Sequence, residues 1–262
     1  PPPPPYGRKG VAIDLFGPAR SHVGRGHALI TPDSFVRTPL PGWERTDGVV
    51  LIAPRMGARF TQFLAEMQPG GTAGPSVPGV ERVVYVLDGT ITVLPPGEPE
   101  RSLTAGGFAF APPGIDLRLR ADTACRLNVF EKRYVPRPGV DVPAAIVGRE
   151  QDVEGQPFLG DPDARLHVLL PDEPAFDLAV NVFRFRPGAT LPFVEVHVME
   201  HGLLMLEGQG VYRLGEAWYP VRAGDVIWMA PFCPQWFVAM GKTPAAYLYY
   251  KDVNRDPLGA DA

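Results

Sequence analysis

The strongest constraint on how this chain folds is an internal repeat. The string ERVVYVLDG at residues 81–89 is followed by LTAGGFAFAPPG at 103–114, and EHGLLMLEG at 200–208 is followed by VRAGDVIWMAP at 221–231. Gly89 and Gly208 are 119 residues apart, and Gly106 and Gly224 are 118 residues apart. The nearly constant offset indicates two copies of one β-domain.

Each copy has the pattern of short strands separated by turns. Glycine (29) and proline (32) are abundant, apolar residues alternate over segments such as 126–134 and 245–251, and long helical periodicity is nearly absent. Because 45% of the residues are hydrophobic, the excess of turn residues indicates many turns rather than low complexity. The sequence therefore predicts an all-β chain of the sandwich or barrel type.

The repeat and the proline distribution predict the domain limits. Residues 1–20, which begin with five prolines, are expected to form a disordered tail. Prolines crowd again near residues 135–152, where a linker is expected. The prediction is an N-terminal domain over 21–140 and a C-terminal domain over 141–262.

Charge and composition exclude several classes of partner. A net charge of −4 argues against nucleic-acid binding, which requires a basic face. The apolar stretches are too short to cross a bilayer, so no membrane association is expected. The two cysteines, Cys125 and Cys233, cannot form a disulfide framework, although a single bridge stays possible. A reduced, cytoplasmic location and a small-molecule substrate fit these features best.

The string EVHVMEH at residues 195–201 carries the clearest chemistry. On a strand, Glu195 and His197 point to the same face, and a following turn would bring His201 back to the same point. One carboxylate and two imidazoles inside a barrel would suit Mn, Fe, Zn or Ni. The glutamate does not lie between the histidines as in the helical zinc-protease motif. The alternative is that these are unconnected polar residues at a strand edge.

The surrounding glycines resemble the motifs of the cupin superfamily. The spacing from Glu195 through His197 and His201 to Gly208 matches the first cupin motif, and counting from Gly224 places Gln235 at the last ligand position of the second. The resemblance implies two tandem cupin barrels, which are double-stranded β-helices of the jelly-roll type. It also implies a metal held by Glu195, His197, His201 and Gln235, an oxygen-rich set that favours Mn²⁺.

The same alignment predicts a first barrel without a metal. The residues at its ligand positions are Ser76, Pro78, Arg82 and Leu117, and neither a proline, a leucine nor a cationic arginine can coordinate an ion. One ion per chain is therefore expected. Cupin barrels have edge strands that pair across a two-fold axis, so we expect a homo-oligomer of two or more chains.

Further strings are similar to those of the (S)-ureidoglycine aminohydrolases, a family of bicupins in purine (allantoin) degradation. They are EVHVMEHG at 195–202, GQGVY at 208–212, KDVNRD at 251–256, HALITPD at 27–33 and RYVP at 133–136, so the resemblance spans roughly residues 20–257. The resemblance implies a Mn²⁺-dependent hydrolase that converts (S)-ureidoglycine and water to (S)-ureidoglycolate and ammonia.

Within that resemblance, several residues acquire expected roles. Glu195 would exchange a proton with the substrate and contact it, and Gln235 would lie beside the substrate. Tyr247 and Lys251 share one face of the strand 245–251, and Lys251 would pair with the substrate carboxylate as a catalytic residue. Tyr212 would donate a hydrogen bond into the pocket. A lysine at a strand end that faces solvent, and a packed tyrosine, are the alternatives.

Two other functions stay open from the sequence. A cupin dioxygenase would use the same face, although iron enzymes more often present two histidines and one carboxylate with open positions for oxygen. A non-catalytic ligand-binding bicupin is the third possibility, but such a protein would tolerate the loss of ligands in both copies. The retained set in the second copy favours catalysis.

Overall fold

The all-β prediction is confirmed. The structure is a computed structural model that describes residues 20–256, where 21 strands are joined by turns and by three short 3₁₀ segments at Pro32–Ser34, Pro54–Met56 and Glu150–Asp152. The predicted disordered tail, up to residue 19, lies outside the described residues. Within the described part, no helix is long and apolar enough to cross a membrane, and both cysteines are free.

The first barrel is built on a ten-stranded antiparallel sheet. Its strands are β3 (Thr38–Pro39), β4 (Glu44–Ile52), β5 (Phe60–Thr72), β6 (Val80–Asp88), β7 (Thr90–Leu94), β8 (Arg101–Thr104), β9 (Gly107–Ala111), β10 (Arg118–Ala121), β11 (Cys125–Arg133) and β12 (Ile146–Arg149). The order is β12-β9-β6-β11-β5-β10-β7-β8, and the β3–β4 hairpin joins β5.

The second barrel combines an eight-stranded and a three-stranded sheet. The larger sheet contains, in spatial order, β1 (His22–Val23), β2 (His27–Ile30), β19 (Val226–Met229), β16 (His201–Glu207), β21 (Ala245–Asp252), β15 (Leu178–Phe185), β14 (Asp161–Val168) and β13 (Gln156–Phe158). The smaller sheet contains β18 (Ala217–Arg222), β17 (Gln209–Leu214) and β20 (Gln235–Ala239).

Strand pairing does not follow the boundaries of the two predicted domains, 21–140 and 141–262. β2, from the first half of the sequence, pairs with β19 of the second barrel, whereas β12, from the second half, pairs with β9 of the first. The physical reason is that β9 and β19 would otherwise expose unpaired backbone groups at a sheet edge. Each half of the chain therefore covers an edge of the other.

Three buried apolar clusters divide the core. One fills the first barrel, one fills the second, and the third lies between them. Strand alternation makes this possible, because Leu203 and Met205 of β16 face the second barrel whereas Leu204 faces the region between the barrels. In that region Phe60 stacks on Tyr250 with 4.1 Å between ring centroids.

Gly202 is required by this inter-barrel packing. A Cβ atom placed on Gly202 would come within 2.4 Å of the ring of Phe60. The first barrel therefore approaches the backbone of β16 directly, next to His201.

A buried charge cluster also joins the barrels. Lys132 of β11 forms an ion pair with Asp177, which directly precedes β15, and its Nζ lies 3.8 Å from Glu81 Oε1. Glu81 and Asp177 are both fully buried. Burial raises the pKa of Glu81, and the neighbouring Asp177 carboxyl raises it further. Two carboxyl groups therefore share one ammonium, and Glu81 retains its proton far above the usual range.

This cluster predicts a specific pH dependence of stability. Because its pKa is raised in the fold, Glu81 binds a proton that the unfolded chain releases, so its stabilising contribution is present at low pH and is lost as pH rises. Glu81→Gln should remove this loss, whose limiting slope for one proton is roughly 1.4 kcal/mol per pH unit. Urea unfolding at several pH values from 5 to 9 measures it.

The matched control is Glu44→Gln, since Glu44 is exposed on β4 of the same barrel. It should keep the pH dependence of the wild type. An equal slope for wild type and Glu81→Gln would show that Glu81 is ionised in the fold.

Candidate active site

The second barrel positions the 195–201 segment by two local devices. Glu195 and Gln235 form an isolated antiparallel bridge, with N–H donations of 2.9 and 3.0 Å to each other's carbonyl oxygens. The chain then leaves this bridge, the carbonyl oxygen of His197 accepts a hydrogen bond from the N–H of Phe232 at 2.7 Å, and β16 begins at His201. Between His197 and His201 the backbone bends at Val198, and His201 points to the same cavity.

These residues converge on a cavity of about 170 Å³ inside the second barrel. All the predicted site residues lie on its wall. They are Glu195, His197, His201, Tyr212, Gln235, Tyr247 and Lys251. The apolar part of the wall comes from Phe158, Leu166, Phe183, Met199, Leu203 and Met229.

Three of the polar groups are within direct contact distance. The Nε2 atoms of His197 and His201 are 3.2 Å apart, and the amide nitrogen of Gln235 is 3.0 Å from Nε2 of His197. The Tyr212 hydroxyl donates to Oε1 of Gln235 at 3.4 Å, which is a weak hydrogen bond. The side-chain amide of Gln235 therefore has two polar neighbours, His197 and the hydroxyl of Tyr212.

Burial keeps both imidazoles neutral. It lowers the pKa of His197, and it lowers the pKa of His201 well below the usual value, an effect that the neighbouring His197 and Lys251 reinforce. A neutral imidazole has a free lone pair on one ring nitrogen, as a metal ligand requires.

The pKa of the Glu195 carboxyl group is shifted in the opposite direction. Burial raises its pKa, and the positive charge of Lys251 partly offsets this rise. A raised pKa makes a carboxyl group a better proton acceptor than an ordinary glutamate, as a general base requires.

Sequence reasoning did not assign a role to one polar wall residue, Tyr249. Its hydroxyl accepts a hydrogen bond from the side-chain amide of Asn181 at 3.0 Å, and burial raises its pKa, so it stays protonated. Its position between Tyr247 and Lys251 on the same face of β21 was the available signal. Phe158 was missed as well, since it comes from the edge strand β13 and carries no motif.

The donor set fits a divalent ion in part. Two nitrogen ligands at about 2.1 Å from one ion lie roughly 3 Å apart when they are neighbours in its coordination shell, which matches the His197–His201 separation. Nδ1 of His197 is buried without a hydrogen-bond partner. Among residues 20–256, however, no three His, Cys, Asp or Glu side chains are close enough together to hold an ion. Glu195 would have to turn toward the histidines, and the Gln235 amide would have to rotate so that its oxygen, rather than its nitrogen, faces His197.

The corresponding place in the first barrel is occupied by an ion pair. Arg82, which aligns with His201, is buried and lies 2.6 Å from Glu131 Oε1, and its Nη1 donates to the carbonyl oxygen of Gly74 at 2.7 Å. Leu117 is buried there too. The guanidinium of Arg82 occupies the space that a metal ion would need, and its positive charge would repel such an ion.

Two barrels of this topology, with imidazole, amide and carboxylate groups gathered in the second, define a bicupin. The model of the Cupin domain family matches residues 181–250, and that of the EutQ-like cupin domain matches residues 55–134. The prediction of tandem cupin barrels is therefore confirmed.

The relatives identify the branch of this superfamily. An (S)-ureidoglycine aminohydrolase of Arabidopsis thaliana is 45% identical over 94% of this chain and 82% of its own, and one of Escherichia coli is 36% identical over 90% and 92%. A crystal structure of a Pseudomonas aeruginosa protein described as glyoxylate-induced superposes with a TM-score of 0.84, at 33% identity over 95% and 94% of the two chains.

The chain therefore belongs to the (S)-ureidoglycine aminohydrolase family, as its motifs predicted. Membership supports an aminohydrolase over the dioxygenase and the non-catalytic bicupin that the sequence left open.

Proposed function

We propose that this protein hydrolyses (S)-ureidoglycine to (S)-ureidoglycolate and ammonia in purine (allantoin) degradation. The observation that carries the proposal is that one cavity gathers every predicted site residue, in a chain 45% identical to an (S)-ureidoglycine aminohydrolase. The release of ammonia from ureidoglycine tests the proposal. Because this substrate is unstable, it must be generated in the assay. No release above the enzyme-free rate would refute it.

The proposed cofactor is one Mn²⁺ per chain. His197 and His201 would hold it through Nε2, with Glu195 and Gln235 supplying carboxylate and amide oxygens from the same wall. When bound, the ion would supply Lewis acidity and orientation for the substrate. The two neutral imidazoles and the adjacent carboxyl are the donors that such an ion requires.

The reaction requires one proton to move from water to the departing amine. A bond forms between the substrate carbon and the oxygen of water, and the bond from that carbon to the amine nitrogen breaks. We assign this proton transfer to Glu195, whose pKa burial raises. The apolar wall around it limits competing water.

Lys251 is assigned to the substrate carboxylate. It lines the cavity beside Glu195, and Tyr247 lies on the same face of β21. An ammonium group in a partly buried site is favoured when an anion pairs with it. Tyr212 and Tyr247, which burial keeps protonated, would donate hydrogen bonds to substrate oxygens.

A homo-oligomer of two or more chains and a cytoplasmic location complete the proposal. The strand edges of the two barrels and the reduced cysteines, Cys125 and Cys233, are compatible with both.

Metal titration should find one binding site per chain. Adding Mn²⁺ to metal-stripped protein, followed by electron paramagnetic resonance, should give a stoichiometry of one, since Arg82 occupies the equivalent place in the first barrel. His197→Ala should weaken binding at least 10-fold, as expected for the loss of a ligand. His22→Ala, in an exposed strand, is the control and should bind as the wild type does. Two ions per chain, or unchanged binding by His197→Ala, would contradict the assignment.

Lys251→Met should impair substrate binding. It keeps the length of the side chain and removes its charge, so the Michaelis constant should rise about 10- to 150-fold, corresponding to roughly 1.5–3 kcal/mol for a charged hydrogen bond. Manganese affinity should not fall, since Lys251 is not a proposed ligand. Steady-state kinetics measures the Michaelis constant, and the manganese titration measures the affinity for the ion.

Lys242→Met serves as its control, because Lys242 is exposed in the turn before β21. It should leave the kinetics unchanged. A change below about threefold for Lys251→Met would exclude a direct contact with the substrate.

A further inference from the structure

We propose that Arg59 of the first barrel is a positioning residue for the active site in the second. Arg59 contacts Glu200 and Asp252, which are the chain neighbours of His201 and Lys251. These contacts fix the positions of the two site residues. The proposal rests on the proposed function for its kinetic test, and it assigns the first barrel a part in the reaction beyond packing.

The contacts join one arginine to both carboxyl groups. The backbone N–H of Arg59 donates to Oε1 and Oε2 of Glu200 at 3.1 and 3.0 Å, and its Nε donates to Oε2 at 3.2 Å. Its Nη2 lies 2.6 Å from Oδ2 of Asp252. A single residue just before β5 therefore contacts two strands of the other barrel.

These two strands are the ones that carry the site. His201 is the first residue of β16, Lys251 is the last but one of β21, and the two face each other in the antiparallel register. Successive side chains of a strand point to opposite faces. Glu200 and Asp252 therefore point away from the cavity and toward the first barrel, where Arg59 meets them.

We call the contacts of Arg59 with Glu200 and Asp252 the clamp. The clamp acts at the ends of β16 and β21, and strand ends open most easily. Terminal residues of an element have the lowest free energy of local unfolding, so the start of β16 and the end of β21 need external fixation. The backbone N–H of Glu200 donates to Oδ1 of Asp252 at 2.5 Å, which ties the two ends to each other. Arg59 then ties the pair to the first barrel.

The burial of Glu200 makes the guanidinium necessary. Its side chain is fully buried, and its other side-chain donor is Trp228, whose Nε1 lies 2.9 Å from Oε1. A buried carboxylate that loses a charged donor regains hydration only if its surroundings move. That movement would displace His201, its neighbour in the chain.

Arg59 itself does not line the cavity, so its effect must pass through these neighbours. Residues that orient metal ligands typically alter metal affinity or activity 10- to 100-fold when they are replaced. Substitution of Arg59 should therefore affect both manganese binding and turnover, although it touches neither ion nor substrate.

The experiment compares Arg59→Met, Arg59→Lys and Asp252→Asn with a matched control, Arg37→Met. Arg37 is also an arginine of the first barrel in an ion pair, with Glu66, and its side chain is 57% exposed against 47% for Arg59. Arg59→Met keeps the backbone donor to Glu200 and removes only the guanidinium. The measurements are kcat, KM, manganese affinity and melting temperature for each protein.

Arg59→Met should lower kcat/KM about 10- to 100-fold and weaken manganese binding. Arg59→Lys should restore part of both, because one ammonium can pair with one of the two carboxyl groups. Adding Asp252→Asn to Arg59→Met should cost less than Asp252→Asn costs alone, since the two residues act together. Arg37→Met should stay within about threefold of the wild type in both readouts.

A folded Arg59→Met protein with wild-type manganese affinity and kcat/KM would overturn the proposal, even if its melting temperature falls. If Arg59→Met does not fold, unchanged values for both Arg59→Lys and Asp252→Asn would overturn it. If the wild type releases no ammonia, the proposed function fails, while manganese affinity still tests the clamp on its own.

Discussion

The site depends on the fact that two strands, β16 and β21, have two buried faces. Leu203, Met205, Tyr247 and Tyr249 face the second barrel, whereas Leu204, Leu248 and Tyr250 pack in the cluster between the barrels. Most strands of a small barrel have one face toward solvent. Because the first barrel covers the outer face, the backbone beneath His201 and Lys251 cannot relax into water. Phe60 belongs to this cover and lies so near Gly202 that a Cβ atom there would come within 2.4 Å of its ring.

The two barrels hold each other through equivalent positions. In the first, Glu81 pairs in register with Lys132, and Asp177, one residue before β15, reaches them from the second half of the chain. In the second, Glu200 and Asp252 occupy the corresponding places beside His201 and Lys251, and Arg59, one residue before β5, reaches them from the first half. Each barrel thus inserts one charged residue behind the other. The signs differ, since an aspartate meets a lysine in one case and an arginine meets two carboxyl groups in the other.

The sequence predicted two copies of an all-β domain because strand alternation and the repeated glycines follow from periodicity. The residues expected to line the second cavity came mainly from the resemblance to cupins and to the (S)-ureidoglycine aminohydrolases, which supplied the place of Gln235 and the role of Lys251. The exchange of β2 and β12 was not predicted, because a strand pattern does not specify its partner. Arg59 was not predicted either. It stands in an ordinary ARF string, and its partners are about 140 and 190 residues away in the chain.

The ion pair in the first barrel explains how one copy can lose its ligands without losing its fold. Arg82 and Glu131 face each other in register, as His201 and Lys251 do in the second barrel. In the first barrel the two charges neutralise each other at 2.6 Å, so the polar groups are satisfied within the protein. In the second, a neutral imidazole and an ammonium stand at these positions, so they form no such ion pair with each other. The nearest carboxyl influence on Lys251 comes from Glu195, on the same cavity wall, rather than from the facing strand.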